Sequence, residues 1–280
     1  MSILFSRIAD DTGTNGNGVA TSVWDYTQSG DTPNSRFFYR NDTPIPITGN
    51  TLYFRNDFQN LQHDSYNIQE SFGTINMTPG QTYYMGACFR FDRIGGADVW
   101  HDTSGPDSYD KLLEFDGNVR WIILAGWPNG NYTGSYNGQY TYDLYSSPAF
   151  CTSCGANEKF ANVAPYGQSN PYLCDYDRWY AVVMAYKPSS GGSSTDGLVE
   201  LFINGTKTTS LAQKTQDSAT PNITRFAYSG TVAQPAYDAP AHYRKFDYLI
   251  FTDSLTDITN SGLMSDPETA GGGGTLALFL

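Results

Sequence analysis

Residues 178–207 read Arg178-Trp-Tyr-Ala-Val-Val-Met-Ala-Tyr-Lys187, then Pro188-Ser-Ser-Gly-Gly-Ser-Ser-Thr-Asp-Gly197, then Leu198-Val-Glu-Leu-Phe-Ile-Asn-Gly-Thr-Lys207. The first run is apolar and rich in aromatic and β-branched residues, which suit a pleated, half-buried surface. A Gly/Ser/Asp loop follows. The second run alternates, with Val199, Leu201 and Ile203 on one face, and closes on Asn204-Gly205. Asn-Gly accepts positive φ at both central positions, so it suits a two-residue hairpin turn. The pattern predicts two strands, with Val199, Leu201 and Ile203 in a core.

Similar patterns extend outward. Over 82–92, Met85, Ala87, Phe89 and Phe91 share one face and Tyr84, Gly86, Cys88 and Arg90 the other. Residues 111–115 and 119–125 form a predicted hairpin through Asp116-Gly117-Asn118. Shorter strands are predicted at 51–54 and 224–228. The run 242–252 is apolar on both faces from Phe246 onward, as in a buried central strand. Helical periodicity is nearly absent, and short helices are expected only around 68–71 and 254–264. Residues 126–176 read as one long Tyr/Asn/Gly/Ser/Pro loop, and loops of that length are usually functional or disordered. With no repeat and no linker before residue 265, residues 1–264 are expected to form one all-β domain, irregular over 1–50. Residues 265–280 are expected to form a Gly-rich flexible tail with an apolar end.

Composition fits. Of 280 residues, 15% are aromatic and only 16% charged, with 28 Gly and 14 Pro to supply turns. The net charge of −12 and the lack of a basic run exclude nucleic acid as a partner. They also weigh against a polyanionic substrate, unless a local basic groove overrides them. No apolar run reaches the length of about 18 residues that a membrane helix needs. Residues 1–8 are too short and too quickly polar for a signal peptide. Export by a removed signal, or release by lysis as with virus particles, gives an expected extracellular or virion-surface location. Cys88, Cys151, Cys154 and Cys174 are the four cysteines, the last three spaced C-x2-C-x19-C. Disulfides pinning the long loop are the favoured reading. A zinc site with Cys88 as a distant fourth ligand, and free thiols, are the alternatives.

The strand opening near Trp179, the turn at Asp196-Gly197 and the run Val199-Glu-Leu-Phe-Ile-Asn-Gly205 together resemble the concanavalin A-like superfamily. That group includes laminin G-like domains and jelly-roll polysaccharide lyases. Phe246-Asp-Tyr-Leu-Ile-Phe-Thr-Asp-Ser-Leu-Thr-Asp-Ile258 resembles its last inner strand and the short helix after it. The resemblance spans about 70–258 and implies a jelly-roll β-sandwich of two antiparallel sheets with long loops. Function does not follow, because the fold carries lectins, glycosidases, lyases and inert modules. The Glu-x-Asp-x-x-Glu motif of the glucanase branch is absent. Glu70, Glu114, Glu158, Glu200 and Glu268 are scattered, whereas a retaining glycosidase needs two acids about 5 Å apart.

Two readings remain. A non-catalytic protein for glycan binding or for surface or virion assembly is the main expectation. Its carbohydrate platform would use Trp100, Trp127, Tyr132, Tyr136 and Tyr140, since sugar C–H faces pack on aromatic rings. A polysaccharide lyase cleaving a uronate polymer by β-elimination is the alternative. It needs a base and a cation to neutralise the carboxylate. Arg90, His101 and Tyr109 are the catalytic candidates, with Lys111 and Arg120 nearby and a second cluster at His242, Tyr243, Arg244 and Lys245. The paired strand signatures of the alginate-lyase branch (Arg-x-Glu-x-Arg with Gln-x-His) are absent. No cofactor is required. The resemblance allows a structural Ca²⁺, but Asp10, Asp11, Asn15 and Asn17 lack the pattern of a recognised loop, leaving Asp253 and Asp257.

Overall fold

The structure, a computed structural model, describes residues 3–7, 25–29, 37–41, 53–58, 65–93, 109–126, 139–146, 172–229 and 242–269. In chain order the strands are β1 (Ile3–Arg7), β2 (Asp25–Ser29), β3 (Phe37–Arg40), β4 (Tyr53–Phe58), β5 (Ser65–Asn76), β6 (Tyr83–Arg93), β7 (Tyr109–Gly117) and β8 (Arg120–Gly126). They continue with β9 (Gln139–Tyr145), β10 (Cys174–Asp175), β11 (Tyr180–Lys187), β12 (Gly197–Ile203), β13 (Thr206–Gln213), β14 (Asn222–Ser229) and β15 (His242–Thr252), followed by one helix, α1 (Leu255–Asn260).

These strands build two antiparallel sheets. The first runs β13-β12-β11-β6-β15-β4-β3, with β1 beside β15, and the second runs β10-β9-β8-β7-β14-β5-β2. The expected jelly-roll sandwich is therefore the observed one. β15 is the central strand its apolar faces predict. It pairs with β6 along its length, while β4 and β1 share its other edge end to end.

Between the sheets lies an aromatic core. Met85, Phe89 and Phe91 of β6, Phe115 of β7, Trp121 of β8, Tyr186 of β11 and Phe251 of β15 all bury there. Val199, Leu201 and Ile203 join them, each 0% exposed. The hairpin between β12 and β13 turns on Asn204 (φ 50°) and Gly205 (φ 76°), the two positive φ values that Asn-Gly admits.

Four expectations need correction. Residues 68–71 form no helix but lie inside β5, paired to β14 and β2. The long loop holds two strands, β9 and β10. Cys88 and Cys174 form no disulfide: both are buried free thiols. Cys174 sits between the sheets, whereas Cys88 packs on the opposite side of the first sheet, under α1. Cys151 and Cys154 lie outside the described residues. Finally, residues 265–269, assigned by composition to a flexible tail, are tied to the first sheet by Asp266 and Glu268.

Candidate functional site

Each sheet has an outer face, and the two differ. On the first sheet, Cys88, Trp179, Ala181, Val183, Tyr248 and Ile250 pack against Ile258 of α1 and Leu263. Gly86 permits this approach, because a Cβ there would lie 2.8 Å from Val183 Cγ2 and 3.0 Å from Leu263 Cδ1. Beside this cover runs an ion-pair row. Lys245 Nζ lies 2.5 Å from Asp92, Arg90 Nε 2.5 Å from the same carboxylate, and Arg90 Nη1 4.0 Å from Glu268. Arg178 pairs with Asp266 and lies 3.8 Å from Glu268, which also accepts the Trp179 backbone N–H at 2.9 Å. Arg90 is thus a bond in a clasp that holds residues 265–269. Of the second cationic cluster, Lys245 serves the same row and Arg244 is 3% exposed.

The outer face of the second sheet carries a different arrangement. On β8, Trp121, Ile123 and Ala125 point into the core, so Arg120, Ile122 and Leu124 occupy the outer face. On β7 the alternation breaks. Leu112 and Leu113 both bury in the core, and the register with β8 shifts between Lys111 and Leu113. This bulge brings Lys111 and Glu114, three residues apart, to one outer face, where strict alternation would have opposed them. On β14 a second shift, between Ile223 and Arg225, turns Arg225 outward beside them. Gly117 closes the end of β7 onto β14, since a Cβ there would meet Asn222 O at 2.3 Å.

A charge chain results. Arg120 Nη2 donates to Glu114 Oε2 at 2.7 Å, Glu114 Oε1 lies 4.0 Å from Arg225 Nη2, and Arg225 Nε donates to Asp116 Oδ2 at 2.9 Å. The acids are the hidden half. Glu114 and Asp116 side chains are 4% and 12% exposed, against 23% for Arg120 and 35% for Arg225. A chain of net charge −12 therefore presents guanidinium groups outward here. Lys111 flanks them and makes no ion pair among the described residues. Burial above all, then the Arg120 charge, holds its amine below the ordinary lysine range, against an opposing pull from Glu114. Such a lysine is a candidate functional residue. Glu114 and Asp116 alternate along β7, and each is claimed by an arginine.

The sequence-derived candidates fall unevenly. Arg90 and Tyr109 stand on different sheets, and the structure does not bring them together. Tyr109 opens β7, two residues before Lys111. His101, Trp100, Trp127, Tyr132 and Tyr136 lie outside the described residues. Tyr140 is no platform residue: it is 0% exposed, packed among Phe91, Tyr142 and Tyr176 at 4.8, 5.4 and 5.2 Å between ring centroids. Glu114 and Arg225 went unrecognised. The doubled Leu112-Leu113 was the available signal, because two adjacent inward residues require a bulge.

For Ca²⁺, the described residues do not fit. No group of three or more His, Cys, Asp or Glu among them is close enough to hold a metal. Asp253 accepts from Gln81 Nε2 at 2.9 Å, and although its other oxygen has no partner, one acceptor is not a ligand set.

No family model and no curated protein matches the chain. Solved structures do. Alginate lyase Aly36B has a TM-score of 0.55 at 12% identity, covering 89% of this chain and 97% of that one. The same lyase, with a lysine and a methionine replaced by alanine, has been solved with alginate trisaccharide (TM-score 0.52, 17% identity, 88% and 96% covered). The PL-14 alginate lyase of Aplysia kurodai has a TM-score of 0.54 at 8% identity, covering 90% and 99%. The endo-β-1,4-glucuronan lyase of Trichoderma reesei gives 0.50 at 11%, covering 92% and 98%. At these identities the likeness shows the fold alone, a jelly-roll sandwich of two antiparallel sheets.

Proposed function

We propose that this concanavalin A-like jelly roll is a polysaccharide lyase cleaving a uronate polymer on the outer face of its second sheet. The observation that carries the reading is Lys111, a half-buried amine with lowered basicity and no ion pair among the described residues, set beside the partly exposed guanidinium groups of Arg120 and Arg225. The lyase neighbours on alginate and glucuronan support it over a purely glycan-binding or assembly role.

In β-elimination the C5–H bond breaks and its proton goes to Lys111 Nζ. The electron pair forms the C4=C5 double bond as the C4–O bond breaks, and the leaving oxygen takes a proton. An amine held below the usual lysine range has a larger neutral fraction near pH 7, as a base requires. The exposed edges of Arg120 and Arg225 are the groups to neutralise the uronate carboxylate, which acidifies the C5 proton. Tyr109, two residues before Lys111 on β7, is the proposed donor to the leaving oxygen.

Lys111→Met tests the assignment. Formation of unsaturated uronate ends should fall at least about a hundredfold, the usual contribution of a general base, while binding of the polymer changes by less than about threefold. Retained turnover would remove Lys111 from the mechanism. Binding without turnover in the wild-type chain would leave a lectin-like protein.

A further inference from the structure

Among the described residues Lys111 has no counter-ion, although a carboxylate, Glu114, shares its strand and its face. The reason lies in where the Glu114 oxygens are directed. Oε2 takes a hydrogen bond from Arg120 at 2.7 Å, and Oε1 faces Arg225 at 4.0 Å. We propose that Arg120 is a positioning residue that holds the Glu114 carboxylate away from Lys111 and so keeps the amine out of an ion pair. This deepens the reading of Lys111 as the base and rests on it.

The physical case is a competition for one buried acid. Glu114 is 4% exposed and cannot remain unpaired at low cost. Two cations of its surroundings bear on Lys111's fate: Arg120 on β8 and the Lys111 amine itself on β7. Arg225 on β14 is already committed to Asp116. A guanidinium offers a rigid planar fork that matches a carboxylate, whereas an ammonium is a strongly hydrated point charge. Arg120 therefore wins the acid. Among the described residues, Glu114 and Arg120 are the charged groups that act on Lys111. Removing Arg120 leaves Glu114 seeking a partner, and Lys111 is the cation at hand.

A double-mutant cycle separates this role from the plain charge of Arg120. The readout is trace acylation of Lys111 by acetic anhydride at pH 7, followed by mass spectrometry of the peptide, which needs no substrate and no turnover. Arg120→Met should slow acylation about tenfold, and in the Glu114→Gln background, where only the direct charge of Arg120 is lost, the same substitution should slow it distinctly less. Slowing of equal size in both backgrounds would show that Arg120 acts only through its own charge and would overturn the proposal, as would no slowing at all. Melting curves identify any variant that fails to fold, and Arg120→Gln then carries the same prediction. Because acylation is read without substrate, failure here and failure of the lyase reading are distinguishable: a chain that makes no unsaturated product can still complete the cycle as predicted.

Discussion

Burying a lysine without a counter-ion works against folding. Lys111 should therefore cost stability in proportion to how far it is protonated. Its amine is held below the ordinary lysine range, so below that folded-state value both folded and unfolded chains carry the proton and the cost is present in full. As pH rises from there toward the unfolded lysine range, the folded amine is neutral while the unfolded one still binds its proton, and the cost is relieved. Lys111→Met should consequently raise the melting temperature at neutral pH by about 1–3 °C, with the gain shrinking as pH climbs toward the ordinary lysine range. A variant melting lower than wild type at pH 7 would contradict the burial argument. Cys88 and Cys174 show the opposite case of buried titratable groups. Burial pushes both thiols up, helped by the charge of Asp247 at Cys88 and of Asp175 at Cys174, and the opposing pull of Arg178 on Cys174 is the smallest of its influences, so neither is an activated nucleophile.

At the scale of elements, the β12–β13 hairpin makes a sharp prediction. Gly205 sits at φ 76°, and a Cβ there would stand 2.2 Å from Met264 O. Gly205→Ala should cost about 1–3 kcal/mol, seen as a lower denaturant midpoint, while an unchanged midpoint would contradict the turn. This hairpin was fully legible because turn chemistry and alternation agree locally. So was α1, whose Ser254 accepts from Asp257 N as an N-cap. The misread elements have physical reasons. Residues 68–71 look helical in a four-residue window, but pairing with β14 and β2 decides their state. β9 alternates plainly, with Tyr140, Tyr142 and Leu144 inward, yet Gly/Asn-rich neighbours concealed it. The site was hardest to see, because it depends on two register shifts. Lys111 and Arg120 were recognisable as candidates. Their union with Glu114 and Arg225 was not, since period-two reasoning assigns Lys111 and Glu114 to opposite faces.

Across the whole molecule, the two outer faces divide the work. The first sheet's is closed by α1 and by the clasp that Arg90, Arg178 and Glu268 make over residues 265–269. The second sheet's shows arginine outward, with its acids withdrawn, against an overall charge of −12. Local arrangement thus runs against net charge, and on the proposed reading it is what admits the polyanion that composition alone argued against. The most direct test is to incubate the wild-type chain with alginate, with glucuronan and with the same polymers after reduction of their carboxyl groups, and to follow the ultraviolet absorbance of unsaturated uronate ends. The account predicts a rise on at least one uronate polymer and none on its carboxyl-reduced form. No rise on any uronate polymer, or an equal rise on the reduced one, would contradict it.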